Sequence, residues 1–145
     1  MSDGCVVRAR LVIGADGRDS MVRRLCGIGA KRWSYGQKAL VFSVSHVEPH
    51  LGVSTEIHRT GGPFTLVPMP DENNGYRSSV VWMDKAAETL RRANLPVTDF
   101  TEEMNDRSLG VLGQLSDPTP RAAWPIISLL ADRLTAPRVA LIAEA

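Results

Sequence analysis

The stretch Arg10-Leu-Val-Ile-Gly-Ala-Asp-Gly-Arg-Asp-Ser-Met-Val-Arg23 constrains the fold more than any other part of this 145-residue chain. Cys5 to Ile13 reads as a strand rich in β-branched residues, with Leu11, Val12 and Ile13 as its fully buried end. Gly14-Ala15-Asp16-Gly17 is a tight turn, because glycine reaches backbone angles that other residues resist. Asp19 or Ser20 can cap a short helix through about Leu25, with Met21, Val22 and Leu25 available for packing. Gly27 and Gly29 end it. Such a turn places small residues where backbone can approach a ligand, and the helix after it offers N–H groups to an anion. Asp16 can accept hydrogen bonds from ligand hydroxyls, and Arg23 can hold the loop or a phosphate. The same residues also suit a purely structural turn in which Asp16 caps the helix.

From Gln37 the period changes to two, with Leu40, Phe42 and Val44 facing one way and Ser43 and Ser45 the other. That alternation describes a sheet with one apolar face. Strands are predicted at about Ser54–Arg59, Phe64–Met69 and Tyr76–Met83. Gly61-Gly62-Pro63 and the run from Pro70 to Gly75 punctuate them as turns, which gives an antiparallel meander. A helix is predicted over Lys85–Ala93, with Asp84 as cap and Asn94-Leu95-Pro96 as stop. A second runs from about Asp99 to Leu112, with Thr98 as cap, Glu102 and Glu103 at its positive end and Gly113 closing it. Arg121–Leu130 reads as another strand. Arg138–Ala145 is a near-continuous apolar run, the pattern of a strand buried on both faces.

A buried parallel strand needs neighbours on both edges and helices on both faces. Only the segments Cys5–Ile13 and Arg138–Ala145 have that character, so the chain reads as an excerpt of a larger protein. Surfaces left by the missing sheet partners could drive a homodimer. The formal charge of +1, from 17 basic and 16 acidic residues, gives no case for a nucleic-acid partner. No apolar run approaches the roughly 20 residues needed to cross a membrane, which leaves only peripheral membrane contact open. Two cysteines, Cys5 and Cys26, make no disulfide framework and suit a reducing cytoplasm. Both are expected as buried, inert thiols.

The stretch from Leu11 to Arg23 closely resembles the Asp-Gly motif of the flavoprotein aromatic hydroxylases, the group that includes p-hydroxybenzoate hydroxylase. Tyr35-Gly-Gln-Lys-Ala-Leu40 resembles the start of the sheet domain in the ubiquinone-biosynthesis branch. Gly62-Pro-Phe-Thr-Leu-Val-Pro-Met69 resembles that branch's Gly-Pro-x-x-x-x-Pro strand. Arg138-Val-Ala-Leu-Ile-Ala-Glu-Ala145 resembles the strand leading into the family's second flavin motif, Gly-Asp-Ala-Ala-His. Glu144 stands where that motif has its Asp, and Ala143 stands for its Gly.

The resemblance implies an α/β protein, α+β within this excerpt. Its antiparallel substrate-domain sheet with helices is flanked by pieces of a doubly wound FAD-binding domain. Residues 1–31 would carry the Asp-Gly motif of the FAD-binding domain, 32–130 the substrate domain, and 131–145 the return strand. The implied activity is FAD-dependent, NAD(P)H-using hydroxylation of an aromatic small molecule, such as a quinone precursor. The cofactor supplies the oxygen chemistry, while the protein positions the ring and excludes water. Gly14, Asp16, Gly17, Arg23 and Glu144 are the implied cofactor-binding residues. No catalytic acid or base can be chosen. With the Gly-x-Gly-x-x-Gly loop for the ADP half of FAD absent, this chain by itself is expected to be inactive. The alternatives are a non-catalytic substrate-binding or interaction module, and a same-fold halogenase or prenyl reductase.

Outside these motifs, His46 and His50 precede and follow Pro49, where helical metal-ligand geometry fails, so no metal site is expected. His58 in an alternating strand is expected to face solvent. Trp33, Tyr35, Trp82 and Trp124 are each expected to be packing residues rather than a stacking platform. Lys31-Arg32 and Arg91-Arg92 read as solvated faces, and Ser20 as a capping or loop hydrogen bond.

Overall fold

A computed structural model describes residues 4, 6–71 and 75–145. Cys5 and part of the predicted 70–75 turn lie outside the described residues. The chain forms two compact units, Met1–Trp33 with Ile127–Ala145, and Ser34–Ile126.

The first unit holds β1 (Val12–Gly14), followed by α1 (Met21–Leu25). Later in the chain come β8 (Thr135–Ala136) and β9 (Val139–Leu141). Strand β9 lies parallel to β1, pairing Gly14 with Leu141, and antiparallel to β8. Both apolar strands are much shorter than their sequences suggest. No strand pairing extends from Val6 to Leu11. Leu11, Val12 and Ile13 are 55%, 43% and 57% exposed, so the expected burial is not found. The reason is that β1 has a single strand neighbour and, among the described residues, no second one to cover its free edge. After Leu141 the chain turns away, with Ala143 in the left-handed region at φ 56°. Ile142 is exposed, and the predicted two-faced burial of Arg138–Ala145 reduces to Leu141 and Ala145. Met21 and Leu25 of α1 are likewise exposed, which leaves Val22 to pack beside Leu141, Ile28 and Cys26. Cys26 is a half-buried free thiol at the end of α1 rather than a buried one.

In the second unit the period-two pattern becomes a sheet. It is built from β2 (Ala30–His46), β3 (Thr55–Arg59), β4 (Gly62–Pro68), β5 (Tyr76–Lys85) and β6 (Leu115–Ser116), in the order β3-β4-β5-β2-β6. Each neighbour pair is antiparallel, and β2 and β5 run in register from Gln37 opposite Lys85 to His46 opposite Tyr76. A further strand, β7 (Ala122–Ala131), pairs with β2. Strand β2 starts at Ala30, seven residues before the alternation, because the exposed stretch up to Gly36 carries no apolar rhythm to read.

Two helices follow β5: α2 (Ala86–Ala93) and α3 (Val97–Ser108). Leu40, Phe42 and Val44 of β2 pack with Phe64, Leu66, Val80, Trp82, Phe100 and Met104 in one core. The Phe100 ring meets Phe42 edge-on at 5.0 Å, and Phe64 meets Trp82 at 5.3 Å. The helix caps differ from those predicted. Lys85 occupies the α2 cap position without a side-chain bond, while the Asp84 carboxylate turns inward to Arg92 Nη1 at 2.6 Å. Helix α3 starts directly after Pro96, whose fixed φ suits a helix start, so Thr98 lies inside it. It ends at Ser108, where left-handed Leu109 and Gly110 turn the chain before Gly113 is reached. Glu103 lies beyond the first turn, and it pairs with Arg91 and Arg92 instead of the helix N-terminus.

Phe100 is fully buried between sheet and helix, so Phe100→Ala should cost about 3–5 kcal/mol. Urea unfolding followed by tryptophan fluorescence measures this, and a loss below about 1 kcal/mol would contradict the packing described.

Candidate functional site

The turn between β1 and α1 is built around Asp16. Its carboxylate accepts the Ser20 hydroxyl at 2.5 Å and the backbone N–H groups of Met21 at 2.6 Å and Val22 at 3.1 Å. Ser20, fully buried, accepts the Arg23 N–H at 2.9 Å. The first N–H groups of α1 are thereby taken from within the chain. The helix start therefore offers no free donors to a bound anion, contrary to the sequence reading. Chiefly through the Ser20 hydroxyl, and then through the Val22 and Met21 N–H groups, the Asp16 carboxyl is held down to about 2. Asp16 is exposed and ionised, and a carboxylate has about four acceptor positions, so it retains acceptor capacity toward solvent.

Gly14 is buried, and an added Cβ would lie 2.9 Å from Leu141 Cδ2 and 3.0 Å from Val22 Cβ. Its lack of a side chain serves the close approach of β1, β9 and α1. Gly17 differs: its φ is +79° and nothing lies near the place a Cβ would take, so it is glycine for backbone reasons on an open turn. Arg23 is 7% exposed, and its Nη2 donates to the Arg18 carbonyl at 2.9 Å. Its Nη1 is buried and meets no acceptor among the described residues. Glu144 is exposed and faces Arg18 Nη2 at 3.9 Å. Arg18 thus joins the turn, Arg23 and Glu144. Arg18 carries no sequence signal beyond its place between the two acidic residues of the motif. A cleft of about 390 Å³ in this unit is lined by Arg18 and Glu144 together with Leu129, Leu130 and Leu134.

The second unit has its own cleft, of about 700 Å³, lined by Arg59, Thr60, Trp82, Arg92, Asp106 and Arg107, with Glu102 and Glu103. Arg92 corrects the reading of Arg91-Arg92 as a solvated face. Its guanidinium lies 4.4 Å over the Trp82 ring and bonds Asp84 and Glu103. Trp82, 4% exposed, is a packing residue of the core, while Trp33, Tyr35 and Trp124 are 44%, 55% and 61% exposed. They lie on β2 and β7 outside the helix-covered core. His58 faces solvent beside Glu56 at 2.8 Å. His46 is buried between the Glu48 carbonyl and the Ser78 hydroxyl. Among the described residues no group of three or more metal-ligating side chains is found. No helix among them is long and apolar enough to cross a membrane.

A model of the FAD binding domain family matches residues 2–145, and the chain belongs to that family. It is 39% identical over 145 residues to ubiquinone hydroxylase UbiL of Rhodospirillum rubrum, covering all of this chain and 33% of the relative. It is 33% identical over 146 residues to the 3-demethoxyubiquinol 3-hydroxylase of Escherichia coli K12, covering 36% of that protein. The chain therefore spans about a third of the length of the curated relatives it matches. Among solved structures, pqsL of Pseudomonas aeruginosa, described as a probable FAD-dependent monooxygenase, superposes with a TM-score of 0.74 at 24% identity. That match covers 98% of this chain and 40% of the other. CmlS, a flavin-dependent halogenase, superposes at 0.66 with 16% identity over 92% of this chain and 25% of its own. These two likenesses establish the shared mixed α/β fold. The resemblance to flavoprotein hydroxylases is borne out at the level of family and fold.

Two outcomes follow from the turn. In Ser20→Ala the Asp16 carboxyl should titrate well above about 2, closer to the ordinary carboxylate range, as read by carboxyl-carbon NMR. Because the folded value lies below the unfolded one, the stability contributed is present above about pH 4 and is lost as pH falls toward about 2. Separately, Ala143→Gly should stabilise the chain by about 1 kcal/mol, since only glycine holds a φ of 56° without strain. A lowered melting temperature for that variant would contradict this.

Proposed function

We propose that this chain is the central portion of a flavin-dependent monooxygenase that hydroxylates an aromatic ring, of the kind a quinone precursor presents. The observation that carries the reading is the similarity along the whole chain to a ubiquinone hydroxylase, at 39% identity. On this reading Met1–Trp33 and Ile127–Ala145 belong to the FAD-binding part, and the sheet of Ser34–Ile126 to the part that receives the substrate.

One buried group supports the fit of these residues to a flavin nucleotide. Arg23 Nη1 is a buried donor with no acceptor among the described residues, two residues from Met21, whose N–H is bound to Asp16. A buried unpaired donor is costly, and a polar ligand group beside it removes that cost. Asp16 and Arg23 would meet the cofactor directly, with Gly17 keeping the turn open and Glu144 reaching it from the end of β9. Gly14 contributes by letting β1, β9 and α1 approach. When bound, the flavin supplies oxygen activation and ring oxidation, with reduced nicotinamide as the electron source. The chain's own part is positional. Ser20 fixes the Asp16 carboxylate and keeps it ionised at neutral pH, so it accepts hydrogen bonds and does not move a proton. The aromatic substrate would lie against the sheet face opposite α2 and α3, where Val41, Thr65 and Val81 stand in cross-strand register. The same reading places the enzyme in the cytoplasm, in keeping with two cysteines and no disulfide framework.

The test uses the full-length protein. NADH or NADPH oxidation should accelerate on adding a phenolic ring compound, with one oxygen recovered in the ring by mass spectrometry. Ring halogenation, or nicotinamide oxidation without ring hydroxylation, would defeat the proposal.

A further inference from the structure

We propose that the second unit carries a separate ligand site, for a small organic anion with one carboxylate, seated between Arg59 and Arg107 in the 700 Å³ cleft. Arg107 is 7% exposed, yet no carboxylate lies within ion-pair distance of it among the described residues. Its Nη2 donates to the Gly62 carbonyl, and its Nε is buried with no acceptor among the described residues. The carbonyl end of α3 offsets part of its charge. Neither partner is an anion, and buried charges are normally paired.

The neighbouring carboxylates are already engaged. Glu103 accepts from Arg91 twice and from Arg92 Nε, and Asp84 accepts from Arg92 and from the Lys85 N–H. Arg59 adds a like charge beside Arg107 and is one of the influences that push its guanidinium down, after burial itself. Arg59 pairs with the Asp106 carboxylate, 3.6 Å away and 82% exposed. Two adjacent guanidinium groups, one of them desolvated, recognise an oxyanion through paired N–H donors. Glu102 and Asp106 on the rim are exposed acids, and they select against polyanions such as nucleic acids. The site lies wholly within Ser34–Ile126, apart from the residues assigned to the flavin.

The experiment is a benzoate titration of the chain followed by NMR of the arginine side-chain N–H signals. Benzoate should shift the Nε–H signals of Arg59 and Arg107 saturably, with a Kd near about 1 mM. Arg59→Gln, at a half-exposed position, should weaken binding about tenfold while leaving the fold intact. Arg107→Lys, which removes the planar fork, should weaken it at least as much. If Arg107→Lys does not fold, Arg59→Gln alone decides. Absence of a saturable shift in the unaltered chain, or equal binding by Arg59→Gln, overturns the proposal.

Discussion

The hold of the Asp16 carboxylate on the first N–H groups of α1 is the constraint from which the rest of the first unit follows. A helix of five residues makes almost no internal hydrogen bonds and cannot stand on propensity. It exists here because Asp16 and Ser20 supply acceptors to three successive N–H groups. With α1 fixed, Val22 is set against Leu141, Gly14 can have no side chain, and Arg23 is drawn inward. A turn that looks made for a phosphate is, at its helix end, already filled by its own aspartate. What it leaves outward is a charged carboxylate and an open glycine, a surface better matched to hydroxyls than to phosphate.

The legible parts of the sequence were those governed by a repeating local rule. The alternation of Leu40, Phe42 and Val44 with Ser43 and Ser45 survives intact, because one apolar face has only one place to go. Glycine and proline marked the β3–β4 turn only roughly, since Gly62 and Pro63, expected in the turn, lie inside β4 and pair with Arg59 and His58. Caps were less legible, since Asp84 next to a helix start is a cap only if nothing stronger competes. Arg92, on the inner side of α2, competes and wins. Leu11, Val12 and Ile13 have the composition of a buried strand but, among the described residues, only β9 lies beside them. Arg18 and Arg107 illustrate what no pattern could announce. Their importance lies in what they meet across the fold, a carboxylate at residue 144 and a carbonyl at residue 62.

Arginine is used in two ways in this chain. Around α2, Arg91 and Arg92 are absorbed into a network with Asp84, Glu88 and Glu103, and Arg92 adds its planar face to Trp82. Such a network fixes the docking of α2 on α3 and leaves no charge unanswered. Arg23 and Arg107 each keep a buried donor that meets no acceptor among the described residues.

Ala143 offers a different kind of consequence. A residue with a Cβ held at φ 56° makes folding slightly less favourable, yet it also has fewer backbone states than glycine would have when nothing is bound. Glu144 hangs from that stiffened corner on a side chain one methylene longer than the aspartate of the family motif. Reach has been added to the arm while freedom has been taken from the shoulder. Any partner that Glu144 engages therefore meets a longer, exposed carboxylate on a fixed backbone corner, and it is the side-chain rotamers that are ordered at contact.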